Sequence, residues 1–326
     1  MLSRLAGNSV WLARYLERAE SLARMVGVAQ HLSLLPEYGG VPEAPWLDAL
    51  AVAGLVGEFS AQHGAITHHA AVDFLILEKT NPSSLVSCLR TARDNARTAR
   101  HLLTEAYWDA LNLTWLEAQS LDQDQLALRG VDDVAHWAMQ RCYQVRGTAE
   151  DLLRDELPHA LAVGQAIERI DHVARLLVVF LRGQLADPGI AVVPGTPIYR
   201  RWEALLAATA LDESYRRAHS AAIDPEKALR LILTHGTSPR SLTVNIRRLR
   251  TALGGLFGTA DAHPHLPEAT LAAISAVDEH LADAADGALL TEHLGTYLAT
   301  LIHLSDAVSV RVLADLADPT LATDHV

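Results

Sequence analysis

Arg14, Glu17, Ser21 and Arg24 follow one another at steps of three and four residues, so a helix carries all four on one face. Arg18 and Glu20 flank that stripe, and Tyr15 adds a hydroxyl beside it. The pattern recurs far along the chain, where Glu168, Arg169, Asp171 and Arg175 repeat the spacing of Glu17, Arg18, Glu20 and Arg24, with Gln165 at the place of Arg14. Carboxylates set among guanidinium groups have two uses. Glu17 and Glu168, facing each other, would line a pocket where they act as acid or base or bind a cation. Alternatively they belong to an internal ion-pair network that fixes how two central helices pack. The residue types admit both.

A second constellation is an arginine ladder, Arg90, Arg93, Arg97 and Arg100, followed by His101, Glu105, Trp108 and Asn112. Like charges at this spacing destabilise an isolated helix by a few tenths of a kcal/mol per pair, roughly, so acidic groups are expected to face them. The glutamates of the first helix come first, with a partner protein or an anionic ligand as the other possibilities, because the guanidinium fork matches carboxylates and phosphates. Only Arg247 and Arg250 persist at the corresponding later positions, where Gly254 and Phe257 replace Arg97 and Arg100.

The sixteen histidines form no H-E-x-x-H and no paired E-x-x-H motif. Glu279-His280 and Glu292-His293 are adjacent pairs, which on a helix point about 100° apart and chelate poorly. Exposed histidines rather than a histidine metal site are expected. The glycine-rich phosphate loop, the dinucleotide fingerprint and the G-x-S-x-G elbow are all absent from the sequence.

The elements that must position these residues are written twice. YLERAESLARMV at 15–26 returns as AIERIDHVARLL at 166–177, WLDALA from Trp46 as WEALLA from Trp202, and LIL followed by NPSSL at 75–85 as LIL followed by SPRSL at 231–242. The order is kept over a period of about 155 residues, too long for a solenoid repeat. The expectation is an all-α bundle of two multi-helix halves, 1–156 and 157–326, packed as one domain about a pseudo-twofold axis.

The first helix is expected from near Asn8, a capping residue, to about Leu35. Loops rich in proline and glycine follow at 36–45 and 186–197, with helices resuming at Trp46 and Trp202. Ser83 or Ser84, and Arg240 or Ser241, stand where the next helices start. One long helix is expected through Leu89, Ala92, Ala96, Ala99, Leu103 and Ala106, whose spacing makes an apolar stripe. An amphipathic helix is expected over 267–317.

The formal charge of −12 argues against a nucleic-acid or anionic-membrane surface. Two of the 27 basic residues are lysine, Lys79 and Lys227; the rest are arginine. Cys88 and Cys142 lie far apart and outside any C-x-x-C pattern, which points to a reducing, cytoplasmic setting. No apolar run is long enough to span a bilayer, so a soluble protein is expected.

Asn8, Trp11, Arg14, Tyr15, Glu17, Arg18, Glu20 and Arg24 together resemble the opening signature of the bacterial alpha-E domain family. Three further blocks resemble that family in order. They are Asn81, Pro82 and Ser84 through Arg93, Asn95, Arg97, Arg100, Glu105, Trp108 and Asn112; then Glu168, Arg169, Asp171 and Arg175; then Pro239, Arg240 and Ser241. Gln165 departs from the arginine expected there.

The resemblance implies an all-α protein associated with a circularly permuted ATP-grasp protein and often with a transglutaminase-like protein. ATP-grasp enzymes activate a carboxylate as an acyl phosphate and join it to an amine. The implied role is that of a subunit in an amide or peptide ligase system, with a polar pocket for a carboxylate-bearing or phosphorylated intermediate and no cofactor of its own. Glu17 and Glu168 are then the acid/base candidates. Arg14, Tyr15, Arg18, Arg24, Arg93, Arg97, Arg100, Asn112, Arg169, Arg175 and Arg240 are the substrate-holding candidates. The competing expectation is a non-catalytic helical scaffold that docks the ligase, and a weaker one is a carboxylate-bridged metal bundle.

Overall fold

The computed structural model describes residues 3–36, 41–153, 156–182, 190–219 and 222–257, with scattered positions between 272 and 310. These residues form α-helices and no strand. In chain order the helices are α1 (Ser3–Ser33), α2 (Ala44–Ala53), α3 (Val56–His63), α4 (His68–Ile76), α5 (Leu85–Thr98), α6 (Glu105–Ala118), α7 (Gln123–Arg129) and α8 (Val131–Gly147). After a 3-10 turn at Thr148–Asp151 come α9 (Glu156–Phe180), α10 (Pro197–Ala208), α11 (Asp212–Ala218), α12 (Pro225–Leu233) and α13 (Leu242–Phe257).

The long helices α1 and α9 form the centre. Helix α1 touches α2, α5, α8, α9 and α10, while α9 touches α1, α2, α10 and α13. A helix packed on several sides needs apolar residues around much of its circumference rather than along a single stripe. That is why Leu12, Ala19, Met25 and Ala29 of α1 are all buried. The two axes approach so closely at Gly164 that a Cβ there would lie 2.1 Å from the Val10 carbonyl oxygen. Only glycine leaves room for the carbonyl.

Around this pair a single apolar core runs through both parts of the sequence, with Trp46 of α2 and Trp202 of α10 fully buried. The division between 156 and 157 falls in the first turn of α9.

Two expectations about the helices change. Asn8 lies inside α1 rather than capping it; its Nδ2 donates to Thr98 Oγ1 at 2.8 Å and ties α1 to the end of α5. The long helix expected through Ala106 is broken. Helix α5 ends at Thr98, and α6 restarts behind Thr104, whose hydroxyl accepts from the Tyr107 amide. A threonine that satisfies an orphan amide makes a new helix start favourable there, and α6 folds back onto α5.

Other boundaries follow local chemistry. Ser84 caps α5, Thr196 caps α10 ahead of Pro197, and the Ser241 hydroxyl accepts from the Val244 amide at the start of α13. The segment 267–317 lies almost wholly outside the described residues. Among those described, no helix is long and apolar enough to cross a membrane.

Candidate functional site

The chain contains two Glu-Arg dipeptides, Glu17-Arg18 on α1 and Glu168-Arg169 on α9, and they exchange partners. Arg18 donates to Glu168 through Nε at 2.5 Å and Nη2 at 3.0 Å. Arg169 donates to Glu17 through Nε and Nη2, both at 2.8 Å. Arg14 adds a third bond to Glu168 at 2.9 Å. Glu17 also accepts from Gln165 at 3.1 Å, Arg146 at 3.2 Å and Arg240 at 3.3 Å. The carboxylates therefore meet guanidinium groups rather than each other.

Both glutamates are almost fully buried, at 2% and 5% exposure. Burial alone would raise the Glu17 pKa, but Arg169 and then Arg146 more than offset it and hold the carboxyl far below its ordinary range. At Glu168 burial is likewise overridden, there by Arg18 and Arg14. A general base near neutral pH needs a raised pKa. Both of these are depressed.

One turn on, Glu20 is completely buried and forms ion pairs with Arg24 of α1, Arg146 of α8 and, at 2.5 Å, Arg240 from the segment before α13. Arg24 also reaches the Tyr143 hydroxyl at 2.9 Å. Four guanidinium groups, Arg24, Arg146, Arg169 and Arg240, thus surround two carboxylates.

This cluster borders a cavity of about 1090 Å³ whose charged wall residues are Glu17 and Glu150 against Arg146, Arg247 and Arg248, with Gln165 and Asn245 beside them. Two of its arginines are shifted down. Burial, with repulsion from Arg169 and Arg240, pushes Arg146 down to about 10, although Glu17 opposes the fall. Arg248 is also shifted down, by burial first and then by Arg169 and Arg240.

On the other side of the α1–α9 pair lies a smaller cavity of about 250 Å³, bordered by Arg18, Ser83, Glu168, Asp171, His172 and Arg175 among others. Arg175 donates to both Asp171 oxygens, at 3.0 and 2.9 Å. Burial pushes His172 down to about 4.

The structure therefore brings together Glu17, Glu168, Arg14, Arg18, Arg24, Arg169 and Arg240, with Arg175 nearby. Tyr15 stands at the edge, its ring 5.3 Å from the Arg18 guanidinium carbon. The arginine ladder is elsewhere. Arg93 donates to Asn112 of α6 at 3.2 Å, and Arg93 and Arg100 both lie over the Trp108 ring, at 5.5 and 5.4 Å. Arg90 and Arg97 are exposed. The first-helix glutamates expected opposite the ladder are already held by Arg169, Arg146 and Arg240; the ladder's own neighbours are the Trp108 face, the Asn112 amide and, for Arg93, the adjacent Asp94 carboxylate at 3.4 Å.

Arg146 carries no sequence signal, since it is one arginine on a remote helix with no repeated spacing. Among the described residues no group of three histidine, cysteine, aspartate or glutamate side chains is placed to hold a metal ion. Cys88 and Cys142 are free and buried, and burial pushes the Cys88 thiol up to about 12.

No curated protein and no solved structure matches this sequence. A family model does match, over residues 1–313, and its family, Alpha-E, is described as a predicted alpha-helical domain with a conserved ER motif. The match covers nearly the whole chain, and the Glu-Arg dipeptides at its centre are the residues that interlock α1 with α9: the protein belongs to the Alpha-E family.

Proposed function

We propose that this chain is the helical subunit of an ATP-grasp-type amide or peptide ligase system, and that its large basic cavity holds a carboxylate-bearing or phosphorylated intermediate. The observation that supports this most is the imbalance of four guanidinium groups against two carboxylates beside a cavity of about 1090 Å³. A bound anion relieves that imbalance. Arg146, Arg247 and Arg248 are the groups on the cavity wall that would meet it.

Glu17 and Glu168 serve in this reading as fixed counter-ions that hold the arginines in place, since their oxygens are engaged and their pKa values depressed. The reciprocal Arg18–Glu168 and Arg169–Glu17 pairs fit a duplicated unit closed about a pseudo-twofold axis. The face made by Arg93, Arg97 and Arg100 suits an acidic surface on the circularly permuted ATP-grasp partner or on a transglutaminase-like protein. ATP supply fits a cytoplasmic setting.

A scaffold that only docks the ligase is the second reading, and the engaged state of both glutamates favours it over acid/base chemistry. The two readings part in one experiment. The chain is purified with a neighbouring ATP-grasp protein, and ATP turnover on candidate amino acids is measured with wild-type chain and with Arg247→Ala/Arg248→Ala. Loss of turnover with complex formation intact supports the cavity; unchanged turnover with an intact complex supports the scaffold. Absence of any complex with the wild-type chain rejects both.

A further inference from the structure

The two sides of the α1–α9 pair carry matching groups but differ at one position. Aligning NPSSL at 81–85 with SPRSL at 238–242 puts Ser83 opposite Arg240. Around Glu17 and Glu20, Arg240 fills the space and bridges both carboxylates, at 3.3 and 2.5 Å. Around Glu168 and Asp171, which stand at the places of Glu17 and Glu20, the short Ser83 lines a cavity of about 250 Å³ instead.

We propose that this smaller cavity is a binding site for a guanidinium group, which takes between Glu168 and Asp171 the position that Arg240 takes between Glu17 and Glu20. Three further observations agree. The first is charge. Arg14, Arg18 and Arg175 are set against Glu168, Asp171 and Asp306, the last 4.0 Å from Arg175. The surplus of positive charge found beside Glu17 is missing here. The second is Asp171 itself, whose pKa is raised by burial foremost, with Glu168 and Asp306 adding to the rise despite Arg175.

The third is His172, which borders the cavity and whose buried Nε2 has no hydrogen-bond partner among the described residues. A neutral imidazole in its Nδ1–H form offers Nε2 as an acceptor, and a guanidinium N–H is the donor it lacks. A planar fork can bridge two carboxylates and a ring nitrogen, whereas an ammonium is a point charge without that geometry. The inference does not depend on the ligase reading or on the basic cavity.

The test is calorimetric titration of the full chain with methylguanidinium, agmatine and N-acetyl-arginine amide, with methylammonium as control. Saturable binding of the guanidinium compounds is expected, weakened by about tenfold or more in Ser83→Arg and in Asp171→Asn, each at a cost of at least about one hydrogen-bonded charge contact. Ser83→Arg should also retain or raise the melting temperature. The free small molecules and the acetylated amide separate a metabolite from an arginine side chain as the source. Arg240→Ser should in turn bind a second equivalent of methylguanidinium. No saturable guanidinium binding, equal binding of methylammonium, or binding undiminished in both Ser83→Arg and Asp171→Asn overturns the proposal.

Discussion

Replacing Arg169 by alanine tests whether the Glu-Arg interlock holds the two central helices together. Arg169 is 5% exposed and makes two charge-assisted bonds of 2.8 Å to Glu17, with longer contacts to the Pro239 carbonyl and Asn245 Oδ1 at 3.4 Å. Removing one partner of such a pair costs about 3–5 kcal/mol, because the remaining charge stays buried without compensation. Glu17 keeps Arg146, Arg240 and Gln165 at 3.1–3.3 Å, so the lower end, about 3 kcal/mol, is expected. Arg97→Ala is the control, since an exposed ladder residue should change stability by no more than about 0.5 kcal/mol.

Urea denaturation followed by far-UV circular dichroism reads both variants. The pH dependence supplies an internal check. A carboxyl whose folded pKa is depressed contributes stability that is present above its unfolded value, 4.5, and is lost as pH falls toward the folded value. The gap between wild type and Arg169→Ala should therefore be widest near neutral pH and shrink below about pH 4.5. An Arg169→Ala variant as stable as wild type, or an Arg97→Ala variant equally destabilised, would mean that the Glu-Arg interlock does not hold α1 to α9.

His172 should give the wild-type protein a second acid-sensitive range. Its folded pKa lies at about 4 against an ordinary 6.5, so the unfolded chain binds the proton first and about 3 kcal/mol of stability is lost as pH falls across that interval. His172→Gln should flatten that part of the stability-pH curve, and an unchanged curve would remove His172 as the cause. Gly164→Ala sets a Cβ 2.1 Å from the Val10 carbonyl oxygen. The forced separation of α1 and α9 should outweigh the gain in helix propensity, for a net loss of about 2 kcal/mol in the same urea assay; a neutral or stabilised variant contradicts the close crossing. Cys88 and Cys142 are buried thiols, so a disulfide reagent should label neither in the native protein and both after denaturation. Rapid native labelling would place them differently.

Much of this arrangement was legible before any coordinates, for identifiable reasons. Apolar spacing and scarce β-branched clusters pointed to helices. Ser84 before α5 and the Pro/Gly loops before α2 and α10 mark their own boundaries, since caps and breakers act locally. The two Glu-Arg dipeptides could be singled out because their surrounding segments repeat.

What stayed hidden depends on distant packing. The spacing of Arg90, Arg93, Arg97 and Arg100 placed them on one face but not opposite Trp108 and Asn112, because the break after Thr98 turns α6 back onto α5. Asn8 has the chemistry of a cap, yet the helix runs through it while its amide bonds Thr98. Arg146 and Arg240 reach Glu17 and Glu20 across 129 and 220 or more residues of sequence, a separation over which spacing carries no information. The difference between Ser83 and Arg240 is visible in the alignment of the repeats, but its consequence depends on the fold: Arg240 bridges Glu17 and Glu20, and a cavity lies beside Ser83.

The anion site proposed for the cavity beside Glu17 can be tested without any partner protein. Calorimetric titration of the chain with inorganic pyrophosphate and with glutarate, at low and high salt, tests it most directly. Saturable binding is expected that weakens with salt and falls by about tenfold or more, or about 1.4 kcal/mol, in Arg247→Ala/Arg248→Ala, two exposed positions whose loss leaves the core intact. Absence of binding to either anion, or binding indifferent to those two arginines, would contradict it.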